Sequence, residues 1–456
     1  TAICCYDGGV FVAAAPDIWF FQDTDADGRA DNRQKVFTGF GRGNVQGLVN
    51  TLLWGPDNRI HGATSSSGAT LKRVLNSVDT ASGGRKPPES APNQDEGSER
   101  SAAHNQGANA PRSPDVLQLR GRDFSFDPHA LDLRAESGGG QHGMSFNDWG
   151  EKFVCSNSDH LQMVVFEDRY VARNPYWKTG APRISIAADG PQADVFRISP
   201  IEPWRIVRTR LRKQGIVPGP VERGGKAAGY FTGATGATIC RGGAFIDSVL
   251  YGCAIVGDVG SNLVHRKRLE PTGVRYIGRR IDDKSELIAS RDIWFRPAQF
   301  ANGPEGALYI ADMYREVIEH PKSLHPVIKR HLDLTSGRNR GRIYRLVPND
   351  FAQPNVPSMS QFTTDQLVAA LDHPNAWQRE TAMRLLCQQQ NRAAVKRLEE
   401  LARHAKLPQG RLAALIVLAG TNSLSSDALW PALEDENGMV RRNAVRLSER
   451  LAGTSP

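Results

Sequence analysis

Phe300-Ala-Asn-Gly-Pro-Glu-Gly-Ala-Leu-Tyr-Ile-Ala311 reads as two short apolar strands around a tight turn. Three other stretches repeat it: Ile3-Cys-Cys-Tyr-Asp-Gly-Gly-Val-Phe-Val-Ala13, Leu53-Trp-Gly-Pro-Asp-Asn-Arg-Ile-His-Gly62 and Met144-Ser-Phe-Asn-Asp-Trp-Gly-Glu-Lys-Phe-Val-Cys155. Apolar alternation marks the strands, and Gly, Asp and Asn supply the positive-φ positions a hairpin turn needs. A looser fifth unit runs from Gly233 to Leu269 and contains Ala254-Ile-Val-Gly-Asp258. Hairpins repeated at wide spacing predict propeller blades, because radial repetition hides the sheet edges that a lone hairpin leaves bare. A β-sandwich is the rival, but it does not predict the same Gly-Pro-Asp/Glu turn recurring in blade-like units.

Working outward, residues 76–115 are rich in Ser, Gly, Pro, Asn and charge, and read as a disordered insertion. Propeller strands are expected over 1–348, and a Pro/Ser/Asn linker over 349–362. From Thr363 the apolar period becomes helical, with Thr363 or Thr364 placed to cap the first helix. Asn375-x-x-x-Arg379-x-x-Ala382-x-Arg384-Leu385 recurs as Asn437-x-x-x-Arg441-x-x-Ala444-x-Arg446-Leu447. The offset is 437 − 375 = 62 residues, two units of 31, with Ala413 or Ala414 near the intermediate register. Residues 363–456 therefore resemble a small solenoid of HEAT-like helix pairs, a surface suited to a protein partner. A plain helical bundle is the alternative.

The chain has 456 residues and a net charge of +8. No RNP, zinc-finger or helix-turn-helix signature accompanies that mild excess, so no nucleic-acid partner is expected. The densest basic run, Arg205 to Lys213, reads as a solvated face. Cys4, Cys5, Cys155, Cys240, Cys253 and Cys387 form no C-x-x-C, and the c-type haem motif C-x-x-C-H is missing. No run is long and apolar enough to cross a membrane as a helix. The chain opens in a strand pattern without an initiator Met, so its N-terminus is expected upstream, and the propeller is expected to be N-terminally truncated.

Three patterns carry chemistry. Asp23-Thr-Asp25-Ala-Asp27-Gly28-Arg-Ala-Asp31 spaces carboxylates at positions 1, 3, 5 and 9 around a turn glycine, as a Ca²⁺ loop does. Gln34 stands where an EF-hand has its bidentate Glu, so a solvated acidic turn stays open as the alternative. Gly138-Gly-Gly-Gln141-His142-Gly143 precedes a blade strand. There His142 can act as a general base, and the glycines can admit a flat ligand; a turn with a surface His is the bland reading. Arg266, Arg296 and Arg315, with Asp312, flank later strands and suit an anionic ligand, although structural ion pairs account for each alone.

Longer motifs point to a family. Phe124-Ser-Phe-Asp-Pro128, Gly138 to Gly150, Cys155-Ser-Asn-Ser158, Ser199-Pro-Ile-Glu-Pro-Trp-Arg205 and Gly229-Tyr-Phe-Thr-Gly-Ala-Thr-Gly236 form an ordered series. It continues through Asn262 to Lys267, Trp294 to Phe300, Asp312 to Pro321 and His331 to Ser336. The series resembles the membrane-bound dehydrogenase domain family of planctomycetes and verrucomicrobia. That family is similar to the soluble quinoprotein glucose/sorbosone dehydrogenases. The resemblance implies a six-bladed-type propeller that oxidises a sugar or polyol with pyrroloquinoline quinone (PQQ). His142 would be the base, and Gln141, Asn157, Arg266, Arg296, Asp312 and Arg315 the cofactor's neighbours. It further implies a periplasmic or exported protein, attached to a membrane through segments outside this chain. Electrons would pass to a cytochrome or haem domain not encoded here. A non-catalytic scaffold for a glycan or protein, and a lactonase-like hydrolase, are the other readings.

Overall fold

The computed structural model describes residues 2–74, 116–174 and 176–452. The insertion expected over 76–115 lies outside them. The described residues form five antiparallel sheets in a propeller-like array. Blade 1 holds Ala2–Tyr6, Gly9–Ala14, Asp17–Gln22 and Asn32–Phe40. Blade 2 holds Asn50–Trp54, Ile60–Ala63, Asp123–Phe126 and Leu133–Glu136. Blade 3 holds Met144–Phe146, Lys152–Ser156, Asp159–Val164 and Arg183–Ser185. Blade 4 holds Ala234–Ile239, Ala254–Asp258, Leu263–Thr272 and Arg275–Arg280, and blade 5 holds Pro297–Asn302, Leu308–Asp312 and Arg342–Leu346.

The expected sixth blade is not among the described residues. Ala69–Arg73 and Val116–Gln118, which have the strand pattern to begin another unit, instead extend blade 1: Phe37 pairs with Arg73 and Leu71 with Leu117. Apolar clusters fill the spaces between blades. Phe11, Phe37, Phe124 and Phe126 pack between blades 1 and 2, and Cys240, Ile255, Val264 and Phe300 between blades 4 and 5.

Nine helices occur among the described residues. Three lie in excursions between strands: α1 (Asp168–Val171), α2 (Pro203–Lys213) and α3 (Pro326–Lys329). The rest form three consecutive pairs: α4 (Thr364–Ala370) with α5 (Ala376–Gln389), α6 (Val395–His404) with α7 (Pro408–Gly420), and α8 (Ser426–Leu433) with α9 (Gly438–Ser448). Thr363 caps α4 in a full capping box with Gln366. The internal repeat has a physical basis. Arg379, Arg411 and Arg441 each donate Nη1 to the carbonyl six residues back, securing the turn before α5, α7 and α9. Ala382, Ala414 and Ala444, three residues later, are wholly buried where the helices meet. Arg411 therefore supplies the intermediate copy.

Strands alternate in direction, so the turns joining the first and second strand of every blade share one face. The row α5–α7–α9 docks on those turns. Arg384 donates to Cys5 O of blade 1, and Asn58 of blade 2 donates to Ile416 O at 3.1 Å. Asn443 donates to Trp149 O of blade 3 at 3.2 Å, and Asn375 donates to Gly303 O and Pro304 O of blade 5 at 3.1 and 2.9 Å. Between blades 3 and 4, buried Asp148 receives Arg379, Arg241 and the Tyr251 hydroxyl. Trp54 and Trp149 pack into the helical core. The recurrent turns that mark the blades in the sequence are thus also the platform for the helices.

Candidate functional site

Blade 2 has two unlike faces. Ile60, Phe124, Phe126, Leu133 and Ala135 face blade 1, whereas alternation puts His61, Asp123, Ser125, Arg134 and Glu136 on the other side. His61, Asp123 and Ser125 are buried despite their polarity. Each must therefore be held by partners. Arg59 donates to Ser125 Oγ (2.9 Å) and Asp132 (2.8 Å), and Ser125 Oγ donates to Glu136 Oε1 (2.6 Å). Lys152 of blade 3 reaches back to Asp123 at 2.7 Å and to Ser137 O at 2.9 Å.

At the edge of this polar face the Gly55–Arg59 turn brings Asp57 Oδ1 within 2.9 Å of His61 Nε2. Asp57, His61 and Glu136 offer atoms that all lie within 4.8 Å of one another. Burial opposes charge on His61, but the Asp57 carboxylate outweighs it and raises the imidazole above its ordinary range. Burial pushes the other way on Asp57, whose carboxyl is held below the usual range by His61 and Arg59.

These residues line a cavity of about 1010 Å³ between blades 2 and 3 and the ends of α5, α7 and α9. Trp54 in its wall stacks on Tyr6, with ring centroids 6.2 Å apart. The Trp54 indole Nε1, His61 Nδ1 and Gln388 Nε2 are buried there without a protein hydrogen-bond partner. Buried donors left unpaired by the protein have to be met by water or a ligand.

Sequence reasoning passed over this site because His61 belongs to a hairpin that serves the fold. One signal was present. Asp123-Phe-Ser-Phe126 and Leu133-Arg-Ala-Glu136 alternate polar and apolar residues, although an interior blade has both faces covered.

The residues anticipated from sequence fall into separate groups. Gln141, His142 and Asn157 come together: Asn157 N donates to Gln141 Oε1 at 3.3 Å. The His142 backbone is fixed by Gly236 N and Cys155 Sγ, and Asn50 brackets it through Gln141 O and Gly143 N. Burial alone lowers the His142 pKa, which favours the neutral ring, and among the described residues no hydrogen bond engages its nitrogens. The glycine run has a different use from the one expected. A Cβ on Gly138, whose φ is +156°, would sit 1.8 Å from Asp123 Oδ2, and one on Gly143 would sit 2.5 Å from Ala237 N. Close packing of blades, rather than approach of a flat ligand, requires these positions.

Arg296, Asp312 and Arg315 form a second group. Arg296 is fully buried; it donates to Glu202, Val259 O, Arg315 O and Glu316 O, and its backbone N to Asp312. Arg315 donates to Arg338 O at 3.3 Å. Arg266 stands apart and forks onto Asp282 at 2.9 and 2.7 Å. With Arg266 and Arg296 committed in this way, and no charged group acting on His142, these residues do not fit a cradle for the carboxylates of PQQ.

In the acidic loop, Asp23, Asp25 and Asp27 converge, but Asp31 does not join them. Its carboxylate accepts Thr24 N (2.8 Å) and Thr24 Oγ1 (2.9 Å), which closes the loop instead. All six cysteines are free, and no helix among the described residues is long and apolar enough to cross a membrane.

The family model described as Domain of unknown function (DUF7133) matches residues 1–91 and 93–350, the blades but not the helix pairs. No curated protein and no solved structure matches the chain.

Proposed function

Given that the chain belongs to the Domain of unknown function (DUF7133) family, we propose that it binds a hydroxyl-rich small molecule, a sugar or polyol, in the cavity between blades and helices. The unpaired Trp54, His61 and Gln388 donors in that cavity carry the reading. A stacked aromatic wall beside buried polar groups suits a ring with one apolar face and a rim of hydroxyls. The volume of about 1010 Å³ admits a monosaccharide with its water, or a short oligosaccharide. The test is calorimetric titration of the full chain with a panel of aldoses and polyols. Gln388→Ala is expected to weaken the bound sugar by about tenfold, or 1.4 kcal/mol. Saturable binding unaffected by Gln388→Ala and by Trp54→Ala, or no binding across the panel, would sink the proposal.

A second reading is favoured by the neutral, unengaged ring of His142. It makes the opposite face an oxidising site, where His142 would take the hydroxyl proton of the same substrate class and an external two-electron acceptor, the dye in the assay below, would take the carbon-bound hydride. The quinone and an external haem acceptor belong to that reading. Because Arg266 and Arg296 are paired within the protein, no step is assigned to the quinone. Dye reduction with aldoses is the assay, and His142→Asn is expected to slow it by about 10²–10⁴-fold. We also read the three helix pairs as HEAT-like repeats, the protein as exported, and Asp23, Asp25 and Asp27 as a Ca²⁺ site. Ca²⁺ is expected to raise the melting temperature relative to chelator. Asp25→Ala should abolish that difference; if the shift persists, the ion sits elsewhere.

A further inference from the structure

Asp57, His61 and Glu136 have more in common than a lining role. They come from a turn and from two strands that are not neighbours in blade 2, yet their ligand atoms converge within 4.8 Å. One imidazole with two carboxylates is a donor set for a borderline or hard divalent ion such as Zn²⁺ or Mn²⁺. His61 is 6 % exposed, lines the cavity, and has Nδ1 buried without a partner. Behind the trio, Arg59 orients Ser125, and Ser125 orients Glu136 through its 2.6 Å hydrogen bond. Metal ligands are commonly fixed by such outer hydrogen bonds.

Asp57 and Glu136 set two carboxylates beside the imidazole, and the nearby Lys152 and Arg59 are paired elsewhere, with Asp123 at 2.7 Å and Asp132 at 2.8 Å. We infer that Asp57, His61 and Glu136 hold a divalent cation whose remaining coordination positions open into the cavity. Three protein ligands with a free position is the arrangement of reactive rather than purely structural metal sites. There the ion would take two hydroxyls of the bound molecule. This second step rests on the cavity reading proposed above, whereas cation binding itself does not.

The test uses the full chain, dialysed against chelator and then titrated calorimetrically with Zn²⁺ and with Mn²⁺. All proteins carry Asp25→Ala, so that the acidic loop does not contribute. One ion per chain is expected. Glu136→Gln, which keeps the side-chain shape, and His61→Ala should each weaken binding by about tenfold or more. The melting temperature should rise with the ion in the parent and not in the Glu136→Gln variant. If His61→Ala does not fold, Glu136→Gln decides alone. No ion bound by the parent, or binding undiminished in Glu136→Gln, overturns the inference. Sugar binding that persists in metal-free protein with no ion taken up would end the cation site and leave the cavity reading standing.

Discussion

Replacing Asp148 by Ala is expected to cost about 3–5 kcal/mol, because it leaves two buried guanidinium groups without their shared anion. Arg241 and Arg379 are 9 % and 4 % exposed at the side chain, so water cannot take over. Arg241 keeps Glu380 at 2.6 Å, but Arg379 loses its carboxylate and Tyr251 its 2.9 Å acceptor. The lost contacts lie where blade 3, blade 4 and α5 meet. Urea unfolding is the measurement, and a change below about 1 kcal/mol would place the docking energy elsewhere. The pH dependence has a fixed sign. Burial pushes Asp148 up, but Arg379 and Arg241 outweigh it and hold the carboxyl below its ordinary range. Its contribution is therefore complete above the unfolded carboxylate pKa, and is lost as pH falls through the lower folded value.

Glu202→Gln should be comparably damaging, at about 3–5 kcal/mol. Glu202 is 2 % exposed at the side chain and faces Arg296 at 3.1 Å, with Arg197 and Arg205 each at 3.5 Å. The amide preserves shape but removes the charge those cations share. Burial already depresses the Arg296 pKa to about 10, and losing the anion adds to that strain on the charged form. Added salt should not rescue the variant, because a dry cluster is poorly screened. Rescue by salt, or a loss smaller than that of an exposed pair, would show that Glu202 does not hold this cluster together.

Much of the architecture was legible because turns are local. Gly-Pro-Asp-Asn in blade 2 and Gly-Pro-Glu-Gly in blade 5 announce hairpins through their own backbone needs. The helical repeat announced itself through Asn375 and Asn437, which accept the backbone N–H of Trp377 and Met439 as caps. Strand partners far apart in sequence were not legible: nothing in Ala69–Arg73 shows that it joins Asn32–Phe40 rather than starting a blade. The same limit governs the sites. Arg296 looks like a ligand-binding arginine until Glu202, 94 residues away, is seen to hold it. His61 looks like a strand residue until Glu136 arrives from the other end of the blade.

The docking of α5, α7 and α9 on all five turns bears on the order of assembly. The helices follow the blades in the sequence and are synthesised after them. Until they emerge, Trp149 has no apolar core to enter, and Asp148 lacks one of its two cations. The blades thus finish translation with one face still sticky. Once seated, the helices act as a splint, since loosening any one blade also breaks a contact they make with it. Unfolding should then be a single event for the whole chain, although two architectures are joined within it.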